Sequence, residues 1–330
     1  MMNSLPTPYP GESLYSIYCR YHVRSGMSPV QTSKTIFGRE YVNLASTVLS
    51  PSSLFTTKSR NFIGLSLALE LAQKHTALQY YSASFFSWDL SEAEDILQGK
   101  ICLESRNFWR RFLNLVKKDD ARLCYCMECS KEERKMYGEP YWHTLHQING
   151  VEYCPIHKTP LIKSNAVLSR NTYNNYYPAY LYTKEAQTMA ISENVAFKRE
   201  MIHLSEDINW LLCNGWSLGC SRQISITYIQ HILEQNNLED IQLLKYNLMR
   251  SLNGLAYEQY AGSLPESFLN TLELSRQKWH ITLKPFFCRF AFNPLQHALY
   301  MRGHFGSVKN FSLQYPICDA ENIYPHIKYN

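Results

Sequence analysis

The chain has 330 residues, 45% of them hydrophobic and 14% aromatic, and a formal net charge of +5. That length holds two or three cores and that composition excludes a disordered chain, while the mildly basic balance permits a nucleic-acid partner without demanding one. No run of about 18 apolar residues would span a membrane, and Met1–Pro10 lacks the basic and apolar regions of a signal peptide, so a cytoplasmic protein is expected.

Leu5–Gly11 is a Pro-rich, extended lead-in. A helix is expected over 12–25, because Leu14, Ile17, Tyr18 and Tyr21 fall at i, i+3, i+4 and i+7 and make one apolar stripe. Gly26 suits its C-terminal cap. Ser28-Pro29 then reads as an N-cap with proline at the first helical position, opening a second helix that runs to Phe37 and stops at Gly38. Two helices joined by a Gly-containing turn are either a plain helical hairpin or a DNA-reading helix-turn-helix. In the second helix Val30, Ser33 and Phe37 would face inward, and Gln31, Thr32, Lys34 and Thr35 outward. Gln31, Lys34 and Arg39 are the candidate DNA contacts of this segment. Tyr occurs 24 times. Most would fill half-buried helix faces, but Tyr9, Tyr15 and Tyr18 look too many for one core, which makes this segment a candidate partner surface.

Residues 61–100 read as helical, with Leu65, Ala68, Leu69 and Ala72 at helical spacing and Ser91 as a cap before Glu92–Leu97. Between Arg106 and Lys135 nine Lys or Arg stand against five Asp or Glu. Arg110, Arg111, Lys117 and Lys118 are interleaved there with Phe108, Trp109 and Phe112. The pattern fits either a solvated helix face or a phosphate-facing stripe. From Cys124 to Leu161 helical periodicity lapses. Residues 162–190 are polar, rich in Tyr and Asn, and read as a loop or linker. Periodicity returns over 193–213. Residues 225–235, 238–250 and 265–274 look like three more short helices, punctuated by Asn236-Asn237, Asn253-Gly254 and Gly262, and form a second helix-turn-helix candidate.

Ten cysteines in a cytosolic chain of this length point to metal or plain burial, not to disulfides. Four residues have ligand spacing: Cys126-Met-Glu-Cys129 and Cys154-Pro-Ile-His157. Two residues between ligands let a tight turn aim both side chains at one ion, and two such turns complete the tetrahedron zinc prefers. The 24 residues between the half-sites exceed the usual ribbon spacing, so a further turn or helix should lie between them. Four protein ligands leave no open position, which makes the metal structural. Cys124 is the rival ligand, with a poorer spacing. Trp142 is expected to bury against this module, and His146 to hydrogen-bond backbone beside it. No phosphate-cradling loop, nucleophile elbow, zinc-protease motif or dinucleotide fingerprint is present, so nothing marks an enzyme.

Around the ligands the order Cys126-Met-Glu-Cys129, Gly138, Tyr141-Trp142, His146-Gln147, Gly150-Val151, Cys154-Pro-Ile-His157 and Leu161 resembles the zinc-finger signature of the TnsD/TniQ family of transposition target-site selectors. Pro8–Leu14 is similar to that family's N-terminal helix-turn-helix start, and His75-Thr76 to a further landmark. Trp279, residues 292–297 and Phe305-Gly306 resemble its TnsD-type domain. The resemblance implies a non-enzyme that binds a chosen site, directly through DNA or through an RNA-guided complex, and recruits an AAA+ ATPase that brings in the transposase. Leu161–Tyr182 carries no Cys, whereas RNA-guided members often have a second Cys-rich ribbon there. That leans toward the TnsD type.

The expectation is a mainly α chain. A helical N-terminal helix-turn-helix region would occupy 1–105, a small zinc-knuckle module 106–165, a linker or loop 166–190, and a helical TnsD-like C-terminal domain 191–330. It would hold one structural Zn2+ through Cys126, Cys129, Cys154 and His157. Its partners would be target DNA and an AAA+ transposition ATPase, with the transposase or an RNA-guided effector complex beyond them. The alternative is a TniQ-type adaptor that links an RNA-guided CRISPR effector complex to the ATPase.

Overall fold

The structure, a computed structural model, describes residues 4–85, 87–97, 106–115, 120–169, 171–183, 195–221 and 294–315, with positions 223, 224 and 227. The described chain is mainly helical and carries one two-stranded antiparallel sheet. It divides into two compact units, Met1–Leu78 with Glu92–Glu193, and Gln79–Ser91 with Asn194–Asn330. No helix among the described residues is long and apolar enough to cross a membrane.

In the first unit α1 (Leu14–Ser25) starts at Ser13, whose hydroxyl accepts the Ser16 N–H, and ends at Gly26 in the left-handed region. Its sequence stripe is buried, and so is every residue between Leu14 and Tyr21, so neighbours enclose the first two turns on all sides. The tyrosines fit this core after all, which corrects the partner-surface reading of Tyr15 and Tyr18. The Tyr15 hydroxyl donates to Asn175 O and accepts from Tyr177 N, both at 2.8 Å, and the Tyr18 hydroxyl lies 3.2 Å from Ser53 Oγ. A buried phenol is tolerated when its hydroxyl finds such partners. Tyr9 is half-buried, stacked on Tyr137 at 4.4 Å and under the Arg20 guanidinium at 3.7 Å. Arg20 in turn pairs with buried Glu12 at 2.7 Å and with Glu139 at 3.0 Å. Burial pushes the Glu12 carboxyl up to about 7, against the opposing pull of Arg20.

The helix α2 (Pro29–Phe37) opens on Ser28 with a reciprocal capping box to Gln31 and closes on left-handed Gly38. Its inward face differs from the reading above: Thr32, Ser33, Ile36 and Phe37 are buried, while Val30 is 38% exposed. The Thr32 hydroxyl makes this possible by donating to Ser28 O, with His22 Nδ1 2.8 Å away. Helices α3 (Thr57–Ile63), α4 (Leu65–Lys74), α5 (Leu78–Ser82), α6 (Ser87–Leu97) and α7 (Arg106–Leu115) follow. Ser91 lies inside α6 and does not cap it; the helix starts one turn earlier, with Asp89 as the acidic residue of its first turn. On α7, Phe108, Trp109 and Phe112 are buried, and Trp109 stacks on Phe55 at 4.7 Å.

The sheet pairs β1 (Asp120–Tyr125) with β2 (Ile162–Ser169), with a bulge between Arg122 and Cys124. Residues 162–169 form a strand where the sequence predicts a loop. Its polar residues alternate with buried Ser164, Ala166 and Leu168, a strand period diluted by small side chains. Helix α8 (Met127–Tyr137) lies between the strands, as the long spacing of the half-sites predicts, and α9 (Ala179–Tyr182) follows β2.

In the second unit α10 (Val195–Asn214) matches the expected helix and packs with α11 (Pro294–Phe305) and α12 (Val308–Gln314). Asp207 accepts from the Val308 N–H at 3.0 Å and pairs with Arg302, which fixes the α11–α12 turn. Gly215 approaches α5 so closely that a Cβ there would lie 2.0 Å from Gln79 O. The helices expected over 225–274, with the second helix-turn-helix candidate, fall outside the described residues except for Thr227, and Trp279 falls wholly outside them.

Candidate metal centre

The strands set the half-sites. Tyr125 pairs with Ile162 at the end of the sheet, so the chain leaves β1 directly into Cys126 and re-enters β2 directly after Leu161. Cys126 is the N-cap of α8 and Cys129 lies in its first turn. That position favours thiolates, because the free N–H groups and helix dipole of an N-terminus attract negative charge. The second half-site sits in a tight turn in which Lys158 N donates to Cys154 O and Cys154 N to Thr159 O, both at 2.8 Å. Lys158 adopts φ +56 there, and a Tyr153–Pro160 bridge closes the turn.

The four ligand atoms all lie within 4.8 Å of one another. Cys129 Sγ is 3.7 Å from Cys154 Sγ, and His157 Nδ1 is 3.6, 3.3 and 3.7 Å from the sulfurs of Cys126, Cys129 and Cys154. A tetrahedron with sulfur at about 2.3 Å and nitrogen at about 2.0–2.1 Å from zinc has edges of about 3.5–3.8 Å. The residues therefore fit a four-coordinate metal of zinc's size and softness. Hydrogen bonds from the Cys129 and Cys154 thiols, and after them the Thr159 hydroxyl, draw the Cys126 thiol far below the usual range, against burial. Burial acts to lower His157, but the Glu132 carboxylate 3.2 Å from Nε2 and the charge of Cys126 outweigh it, and the net shift is upward. Glu132 holds the imidazole with Nδ1 turned to the sulfurs, the outer support that ligating histidines generally have. Cys124 Sγ is outside the cluster and lies 3.6 Å from Arg122 O.

Several residues support the cluster without a ligand signal of their own in the sequence. Gln147 accepts from Cys124 N at 2.9 Å and donates to Cys124 O at 2.8 Å and His143 O at 3.0 Å, which ties the chain just before Cys126 to the loop between the half-sites. Glu133, buried on α8, accepts from Tyr141 N at 3.2 Å and bonds His143 Nε2. Glu132 and Glu133 stand three and four residues after Cys129, a helical spacing that could have flagged them. Trp142 is fully buried as expected and donates its indole N–H to Tyr177 O at 2.7 Å. His146 differs from expectation: it is buried with its ring 4.6 Å from that of His143, and among the described residues its Nδ1 has no hydrogen-bond partner. Burial and the His143 ring hold it neutral.

Three of the candidate DNA contacts, Gln31, Lys34 and Arg111, have other engagements. The Gln31 side chain serves the capping box, Lys34 pairs with Glu40 at 3.2 Å, and Arg39 is exposed. Arg110 and Arg111 are exposed on α7, with Arg111 2.9 Å from Glu92. Lys117 and Lys118 lie outside the described residues.

Residues 4–161, just under half of the chain, match the TniQ family model. The match takes in α1, α2, both metal half-sites and the loop between them, and ends at the residue before β2. No curated protein matches the chain.

Proposed function

We propose that this chain is a non-enzymatic accessory factor of DNA transposition, which binds the target site and recruits an AAA+ ATPase to it. The observation that carries the reading is the TniQ match over residues 4–161, with the Cys126, Cys129, Cys154 and His157 cluster inside it. In this reading one structural Zn2+ closes the base of α8 and presents the first unit as a rigid body, and the metal takes no part in chemistry. Binding would draw on the exposed side chains of α2, of Arg39 just beyond it and of α7, with Lys34, Arg39, Arg110 and Arg111 meeting phosphates. Gln31 has the weaker claim, because its amide is engaged in the cap.

The test is reconstitution with the ATPase and the target DNA of the same element. The chain should bring the ATPase to that DNA in the presence of nucleotide, without turning over ATP alone. If the ATPase assembles equally well without it, the reading fails. ATP hydrolysis by the purified chain alone would also overturn it.

A further inference from the structure

We infer that the outer face of the β1–β2 ribbon, ending in Tyr41 and Tyr173, binds single-stranded DNA. The two rings are 69% and 55% exposed and meet edge to face at 6.5 Å. Two large aromatics displayed together need a reason, since folding gains nothing from leaving them in water.

Their support is rigid. The Asn174 side chain accepts from Val42 N at 3.0 Å and Ser33 Oγ at 2.7 Å, and donates to Glu40 O at 2.6 Å. Its backbone N–H donates to Val42 O at 2.8 Å, and its φ is +57, a left-handed conformation that asparagine tolerates better than most residues. Asn43 donates to Ser169 O at 3.0 Å and Thr172 O at 3.1 Å. These bonds fasten the Tyr41 segment to the end of β2. A backbone held this way loses little further freedom when a ligand arrives.

Along β2 the burial alternates, and past its end Asn171 and Tyr173 are exposed. Lys163 and Asn165 are exposed on β2, and Arg122 is exposed on β1 opposite Val167. Arg39 is exposed two residues before Tyr41. Among the described residues Arg39, Arg122 and Lys163 have no carboxylate within ion-pair distance. The acidic residues nearby are Glu40, paired with Lys34, and Asp120, opposite Ser169 in the register.

This combination suits one ligand class. Exposed rings stack on bases only where bases are unpaired, and cations alongside them follow the phosphates. A duplex hides its base faces. A protein partner would call for an apolar surround to the tyrosines, whereas the exposed side chains before Tyr41 and along the ribbon are Arg39, Arg122, Lys163 and Asn165. The choice of DNA over RNA rests on the proposed role in transposition; the surface itself does not.

The trial uses the full chain and fluorescence anisotropy with labelled oligothymidine of about 20 nucleotides, oligouridine of the same length and a DNA duplex. Tyr41→Ala with Tyr173→Ala should weaken single-strand binding about tenfold or more, leave duplex binding unchanged and keep the salt slope. Tyr41→Phe with Tyr173→Phe should restore it, because the ring does the stacking. Arg39→Ala with Arg122→Ala should flatten the single-strand salt slope by about 1.4. If the alanine pair fails to fold, the phenylalanine and arginine variants still decide. No binding of oligothymidine by the parent chain, or equal binding by the alanine pair, overturns the inference. Tighter binding of oligouridine than of oligothymidine overturns the assignment to DNA. Loss of ATPase recovery in the alanine pair with nucleic-acid binding intact makes this a protein surface instead. Duplex binding without single-strand binding sinks this inference and leaves target selection standing.

Discussion

Replacing Gln147 with alanine tests how the metal module is closed. The side chain is 4% exposed and makes three hydrogen bonds at 2.8–3.0 Å, two of them to the backbone of Cys124. Each such bond contributes about 1 kcal/mol net, so Gln147→Ala should cost about 3 kcal/mol. Water entering the gap would bring the cost toward 2, and an orphaned Cys124 N–H would bring it toward 4. Cys124 is two residues from the ligand Cys126, so the loosened segment should also release metal more readily, by about 10–100-fold in affinity. Urea unfolding of the zinc-loaded chain measures the first effect, and competition against a chromogenic chelator the second. Gln147→Glu should be at least as damaging, because it sets a carboxylate against the carbonyls of Cys124 and His143. An alanine variant within about 0.5 kcal/mol of the parent, with the same metal affinity, would show that this amide does not close the module.

Metal analysis of the purified chain should give one zinc, and Cys129→Ser or His157→Ala should lose it and unfold the 120–169 region, seen as lost amide protection there. A folded parent with no metal would refute this. Arg110→Ala with Arg111→Ala should flatten the log–log salt dependence of DNA binding by about 2 at most, and an unchanged slope would make α7 a solvated face. His297 is fully buried beside Ser221 at 2.8 Å, and burial lowers it to about 3. The unfolded chain takes up that proton near 6.5 and the folded chain only near 3. Stability should therefore fall as pH drops through this window, by about 1.4 kcal/mol per unit, and His297→Gln should show a shallower urea-midpoint profile. Identical profiles would refute it.

What the sequence disclosed followed from local rules with few competitors. Ser28-Pro29 and Gly38 set the limits of α2 by backbone chemistry alone, and the structure keeps both. The C-x2 spacings needed no tertiary knowledge either, because each pair is aimed by its own turn. The misses depended on hydrogen-bond partners that the local pattern does not name. Thr32 reads as an outward polar residue until Ser28 O and His22 satisfy it. Tyr15 reads as surplus until residues 175–177 supply its donor and acceptor. Strand β2 was hidden because its buried positions include Ser164 and Ala166, too small to stand out as apolar, and because its partner β1 is nearly forty residues earlier. Gln147 was visible as part of a landmark but not as a latch, since its partners lie 23 residues back. Except at Thr32, whose partners lie four and ten residues back, the missing information was a long-range hydrogen bond. Such bonds join the ends of the metal module and hold Tyr41 beside Tyr173. The parts of this chain that position function are therefore the parts its local sequence describes least.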